Sequence, residues 1–105
     1  MIKSRDNYYL VILEVASMAK ILQDLSIGAN LQALRKKRGL TQNDVCAQMA
    51  HLGRPMLQST YAQIESGSRN IFVSDLIAFT RVLHADYSDF FKDLEPINKY
   101  TDEEL

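Results

Sequence analysis

The sequence lacks the residues that several function classes require. It has one cysteine, Cys46, in 105 residues, which excludes an intramolecular disulfide and any cysteine-rich metal site. Its two histidines, His51 and His84, stand apart without ligand-like spacing and read as surface or packing residues, so no metal is expected. Four glycines and two prolines leave few breaks, a composition that favours helices over a turn-rich β fold. No apolar run reaches the ~18–20 residues of a membrane span. No nucleophile–base pair, metal cluster or phosphate-binding loop is visible, so neither enzymatic activity nor a cofactor is expected.

What is present suits one small globular domain with a modest core. The hydrophobic share of 47% and charged share of 24% are those of an ordinary soluble protein. The net charge of −1 conceals a segregation. Residues 27–82 carry Arg35, Lys36, Lys37, Arg38, Arg54, Arg69 and Arg81 against Asp44, Glu65 and Asp75, a surplus of +4. Residues 83–105 set Lys92 and Lys99 against seven acids, a surplus of −5. A basic middle is compatible with a polyanionic partner and equally with a solvated charged face.

The opening "MIKSRDNYYLVILEVASMAK" places Lys3 and Arg5 before apolar Tyr8–Leu13 and small residues at Ala16 and Ala19, the order found in export signals. The apolar core is short and Glu14 interrupts its end, so the segment reads as part of the folded protein. By composition "YYLVILEV" suits a strand. Leu10, Leu13, Ala16, Met18, Ile21, Leu22 and Leu25 instead form a broad apolar helical surface, and the helical reading, from about Tyr8 to Leu25, is preferred. Met18 as the natural start is an open alternative.

From residue 27 onward the pattern has helical period. Ile27, Leu31 and Leu34 recur after a possible Ser26 cap, and Gly39 closes the run. Thr41 with Asp44 forms a capping-box-like start leading into Val45 and Met49. Gly53, Arg54 and Pro55 break the chain. A third helix over roughly 58–66 carries Tyr61 and Ile64 inward and ends at Gly67. A fourth over roughly 73–83 presents Leu76, Ile77, Phe79, Val82 and Leu83, and Asp86 or Ser88 opens a short fifth turn through Phe90 and Phe91. Met49, Met56, Phe79 and Phe90 are core candidates. Glu65 is the anomaly, because an acid near a helix C-terminus opposes the macrodipole unless something compensates it.

A helix, "GLTQ" opening a second helix, then "QSTYAQIESGSR" and a hydrophobic "DLIAFTRVL" helix follow one another in order over about residues 27–92. In this it resembles the Cro- and lambda-repressor-like (XRE-type) helix-turn-helix family. The resemblance implies an all-α, compact five-helix domain over 27–92, with an additional N-terminal segment over 1–26, read as helical and available for packing or dimerisation. An acidic tail spans 93–105.

In that family an arginine late in helix one pairs with the glutamate near the end of helix three. Here these are Arg35 and Glu65, and a bidentate pair would offset the dipole penalty. A solvated Glu65 is the alternative, and on either reading the residue is structural. The resemblance puts the third helix in the major groove, with Gln58, Ser59 and Gln63 toward base edges. It assigns Gln42, Thr60, Ser68 and Arg69 to phosphate contacts, with Thr60 also serving as support for the core. Cys46 falls where alanine is usual, and a buried inert thiol is expected.

Two departures stand out. "AQMAHLGRPMLQ" makes the turn before helix three several residues longer than the short phage turn, and Leu57 and Phe72 stand where polar caps are usual. The implied function is a sequence-specific DNA-binding transcriptional regulator, a homodimer on a palindromic operator in double-stranded DNA, cytoplasmic and bacterial or phage-encoded. A DNA-binding antitoxin or restriction controller, whose acidic tail holds a protein partner, is a close variant. A helical interaction adaptor without DNA binding is the reading from a different class.

Overall fold

The computed structural model describes residues 21–98 and Tyr100. The N-terminal helix expected from about Tyr8 lies outside these residues except at its end, and there the structure differs from expectation. Residues 21–27 are not helical. The side-chain carbonyl of Gln23 accepts the Ile27 N–H at 2.8 Å, and the Ser26 hydroxyl accepts the Gly28 N–H at 3.0 Å. These side chains satisfy N–H groups at the start of the next helix, competing with a continuation of helix through this stretch. Ile27, not Ser26, occupies the N-cap position.

Five helices follow: α1 (Gly28–Lys37), α2 (Gln42–His51), α3 (Gln58–Ser66), α4 (Val73–Leu83) and α5 (Tyr87–Phe90), with no strand among the described residues. Their starts follow from local chemistry. Thr41 and Asp44 complete a capping box at α2: the Thr41 hydroxyl accepts the Asp44 N–H, and the Asp44 carboxylate accepts the Thr41 N–H. The Thr41 backbone N–H first, and the Thr41 hydroxyl second, lower the pKa of the Asp44 carboxyl. Leu57 gives α3 no side-chain cap. At α4 the side chain of Phe72 has nothing to offer, but Asp75 reaches back to accept the Phe72 N–H at 2.9 Å. Asp89 does the same for Asp86 at α5.

The ends of α1 to α4 share a left-handed closing residue. After α3, the Ser68 N–H reaches the Gln63 carbonyl and the Gly67 N–H reaches that of Ile64, the double bond of a Schellman motif. It needs a left-handed residue, and Gly67 supplies it at φ 83°. Gly39 and Gly53 close α1 and α2 in the same way. His84 ends α4 in the left-handed region at φ 49° without being glycine.

The core centres on Leu31, Val45, Met49, Tyr61, Phe79 and Phe90, all fully buried. Tyr61 and Phe79 meet edge to face with ring centroids 5.8 Å apart. Helix α1 packs on α3 and α5, and α2 packs on α3 and α4. Gly28 sets how closely α1 approaches α3. A Cβ added there would lie 2.2 Å from the Glu65 carbonyl oxygen and 2.6 Å from that of Ile64. The Asn30 amide ties α1 to the chain leaving α5, donating to the carbonyls of Phe90 and Lys92 at 2.9 Å each. On α4, Ile77 departs from its expected inward position and is exposed, while Ala78 and Asp75 are buried. Phe91 likewise points out while Phe90 is buried.

Candidate nucleic-acid interface

Helix α3 has two faces of different chemistry. Tyr61, Ile64 and Glu65 are buried; Gln58, Ser59 and Gln63 are exposed; Thr60 is half-buried between them. The period of the helix produces this split, since positions three and four apart share a face.

Glu65 is the hub of the buried side. Arg35 Nε donates to Glu65 Oε1 at 2.6 Å and Arg35 Nη2 to Oε2 at 3.2 Å, a bidentate pair between α1 and α3. The side chains are 10% and 3% exposed. The Tyr61 hydroxyl donates to Oε1 at 3.2 Å and the Gln42 amide to Oε2 at 2.8 Å. Four donors thus surround the carboxylate, and they answer the dipole problem its position poses. Arg35 also caps the end of its own helix region, donating through Nη1 to the Leu40 carbonyl at 2.9 Å. The hydrogen bond to Glu65 is the largest influence raising the Arg35 pKa, so the guanidinium is charged at every accessible pH. Burial first, and the Glu65 charge second, push the Tyr61 hydroxyl well above its ordinary pKa.

The network continues from the core to the surface. A carboxylate only accepts, so the Gln42 amide nitrogen must face Glu65, which turns its oxygen outward. That oxygen accepts from Gln58 Nε2 at 2.5 Å. The chain Arg35–Glu65–Gln42–Gln58 therefore runs from a buried ion pair to an exposed side chain in the first turn of α3. At the other end of the helix, Arg69 Nε donates to the Gln63 side-chain carbonyl at 2.8 Å. Ser68 lies beside it, its hydroxyl donating to the Gln63 backbone carbonyl at 3.3 Å and 3.1 Å from that of Ser66. Gln42 and Gln58 are thus brought together, as are Gln63, Ser68 and Arg69. Among the described residues, Ser59 and Thr60 make no side-chain hydrogen bond. Cys46 is half-buried against the core, and burial raises its thiol pKa.

A second ion pair was not foreseen from the sequence. Arg54, in the long turn between α2 and α3, donates through Nε and Nη2 to Asp75 Oδ1 at 3.0 and 2.7 Å. Its guanidinium carbon lies 5.8 Å from the centroid of the Phe72 ring. The turn whose extra length leaves the entry angle of α3 open is thereby pinned to the start of α4. The capping-box spacing of Phe72 and Asp75 signals the carboxylate, but nothing local signals its partner 21 positions away.

The family model for a helix-turn-helix domain matches residues 26–89. The chain belongs to the helix-turn-helix domain family. The match spans α1 to most of α5 and covers more than half of the sequence, in line with the repressor-like resemblance. Neither the curated proteins nor the solved structures contain a match to this chain. This domain type points to DNA binding and is typically non-enzymatic. Among the described residues no cluster of His, Cys, Asp and Glu has metal-binding geometry, and no helix is long and apolar enough to cross a membrane.

Proposed function

We propose that this protein is a sequence-specific DNA-binding transcriptional regulator of the Cro/lambda-repressor type, acting as a homodimer on a palindromic operator in the cytoplasm of a bacterial host or phage-infected cell. The observation that carries the reading is the two-faced α3, which exposes Gln58, Ser59 and Gln63 on one side and buries Glu65 against Arg35 on the other, with Gln42 linking Glu65 to Gln58. An adaptor surface would expose aromatic or aliphatic anchors there instead of short polar side chains.

In this reading α3 lies in the major groove. Gln58 uses one amide hydrogen on Gln42; its second hydrogen and its oxygen then match the N7 acceptor and N6 donor of adenine. Ser59 is a permissive donor or acceptor, and Gln63 reads a base about one helical turn further along. Thr60, Ser68 and Arg69 grip phosphates through their side chains, and Gln42, whose amide oxygen is turned toward Gln58, does so through its backbone N–H at the first turn of α2; these contacts fix register without reading sequence. Because Arg69 engages Gln63 through Nε, its terminal nitrogens extend toward the backbone of the duplex. Holding Gln58 in place before binding removes part of the ordering penalty of recognition.

Random-site selection with the purified protein at two salt concentrations tests the proposal. Enrichment of a palindrome with half-sites about one helical turn apart is the expected result. Absence of any enriched sequence at both concentrations would overturn it in favour of an adaptor.

A further inference from the structure

Residues 21–27, the start of α4 and the chain after α5 enclose an apolar groove of about 320 Å³ to which α3 contributes nothing. Leu76 and Leu94 are half-buried in it, while Ile21 (88% exposed), Leu22 (72%), Phe72 (72%) and Phe91 (50%) line it with little cover. Contiguous exposed apolar surface of this kind marks an interaction site. A small-molecule site would add a few convergent polar groups to orient its ligand. Here Gln23 already spends its amide on the Ile27 N–H and on Asn70, and the other polar lining residues are two acids, Asp24 and Glu95.

We infer that the occupant of this groove is the apolar run Tyr8–Leu13 of the same chain. Three observations lead there. The chain enters the described fold at Ile21, on the wall of the groove itself. Leu13 and Ile21 are eight positions apart, a reach of up to about 26 Å when extended, so the run can return to the wall it leaves from. The run is Tyr-Tyr-Leu-Val-Ile-Leu, six apolar residues in succession, and it follows Lys3 and Arg5, which complement the acids Asp24 and Glu95 of the lining.

The size also fits. The groove is about twice the ~150 Å³ that holds one benzene ring, room for two large side chains from one face of the run. A second copy of the protein could offer the same run. However, a short tether gives the segment in its own chain an effective concentration on the order of millimolar, which a second copy not already held in a dimer matches only at comparable protein concentrations. The run docked in its own chain would close the side of the domain built from α4 and the two chain extensions. This inference stands apart from DNA reading, because none of the groove residues belongs to α3.

The test is a nitroxide attached at Asn7→Cys, beside the run, in full-length protein carrying Cys46→Ala, with nuclear magnetic resonance readout. Methyl and amide signals of Val73, Leu76 and Leu94 should broaden, and adding Leu10→Asp and Leu13→Asp should restore them. The same spectra recorded on isotope-labelled protein without nitroxide, mixed with spin-labelled protein without isotope, should show no broadening at roughly 50 μM, well below the effective concentration the tether gives. Groove signals unaffected by the nitroxide would overturn the inference. Broadening that appears equally in the mixed sample would overturn docking within one chain and assign the groove to a second copy.

Discussion

Among the described residues two arginine–carboxylate pairs hold this domain, and they differ in what they are attached to. Arg35–Glu65 is buried on both sides, joins α1 to α3, and extends through Gln42 to Gln58 on the exposed face. Arg54–Asp75 has its arginine side chain 38% exposed, leans on Phe72 and joins a turn to the start of α4. The first pair carries the orientation of a side chain we assign to base reading. The second fixes how the preceding turn leaves α2. The same ion-pair chemistry thus does different work, and burial decides how much stability depends on each. A buried charge that loses its partner has no water to replace it, whereas a half-exposed guanidinium does.

The largest effect should come from breaking the buried pair. Arg35→Met or Glu65→Gln should each destabilise by roughly 3–5 kcal/mol in urea unfolding, because each leaves the other charge uncompensated. The double variant should be less destabilised than the sum of the two, and strict additivity would separate the residues energetically despite their contact.

Asp75→Ala comes next, at about 2 kcal/mol, since it removes both the cap on the Phe72 N–H and the Arg54 contact. Arg54→Gln should cost only about 1 kcal/mol, given the solvent around the guanidinium. Equal losses from Arg54→Gln and Arg35→Met in the same unfolding assay would erase the distinction between the two pairs.

Tyr61→Phe sharpens the comparison within the buried cluster. Loss of the hydroxyl bond to Glu65 should cost about 1 kcal/mol at neutral pH. The folded state raises the Tyr61 pKa, burial being the main cause, so the neutral phenol is favoured in the fold. Its contribution is fully present below tyrosine's ordinary value near 10 and is lost as pH rises from there toward the folded value. Unfolding midpoints measured between about pH 8 and pH 11 should therefore fall less steeply for Tyr61→Phe than for the wild type. Parallel profiles would mean that Tyr61 does not carry the alkaline loss.

The helices were legible because their signals are local. The Thr41–Asp44 box, the glycines at 39, 53 and 67 and the apolar period put α3 and α4 at the bounds the structure has. What escaped depends on tertiary placement. Gly28 looks like an ordinary residue early in a helix until the backbone of α3 is seen against it. Ile77 has the period of a core residue, yet no element covers it fully. The stretch 21–25 has helical composition, but the side chains of Gln23 and Ser26 cap α1 in its place. Among the site residues, the sequence gives identity and order. The links that join Gln58 to Gln42 and Arg69 to Gln63 require side-chain geometry that no spacing rule contains.

The central claim is that the exposed face of α3 reads bases while the loop after it grips the backbone. Random-site selection carried out in parallel on the wild type, Gln58→Ala, Gln63→Ala and Arg69→Ala tests it most directly. Gln58→Ala should relax preference at one position in each half-site, a loss of about 1–3 kcal/mol of discrimination. Arg69→Ala should keep the preferred sequence, weaken binding to all sequences alike and lower the salt slope by about one. Selected sites that are identical for the wild type, Gln58→Ala and Gln63→Ala would contradict the assignment of this face to base recognition.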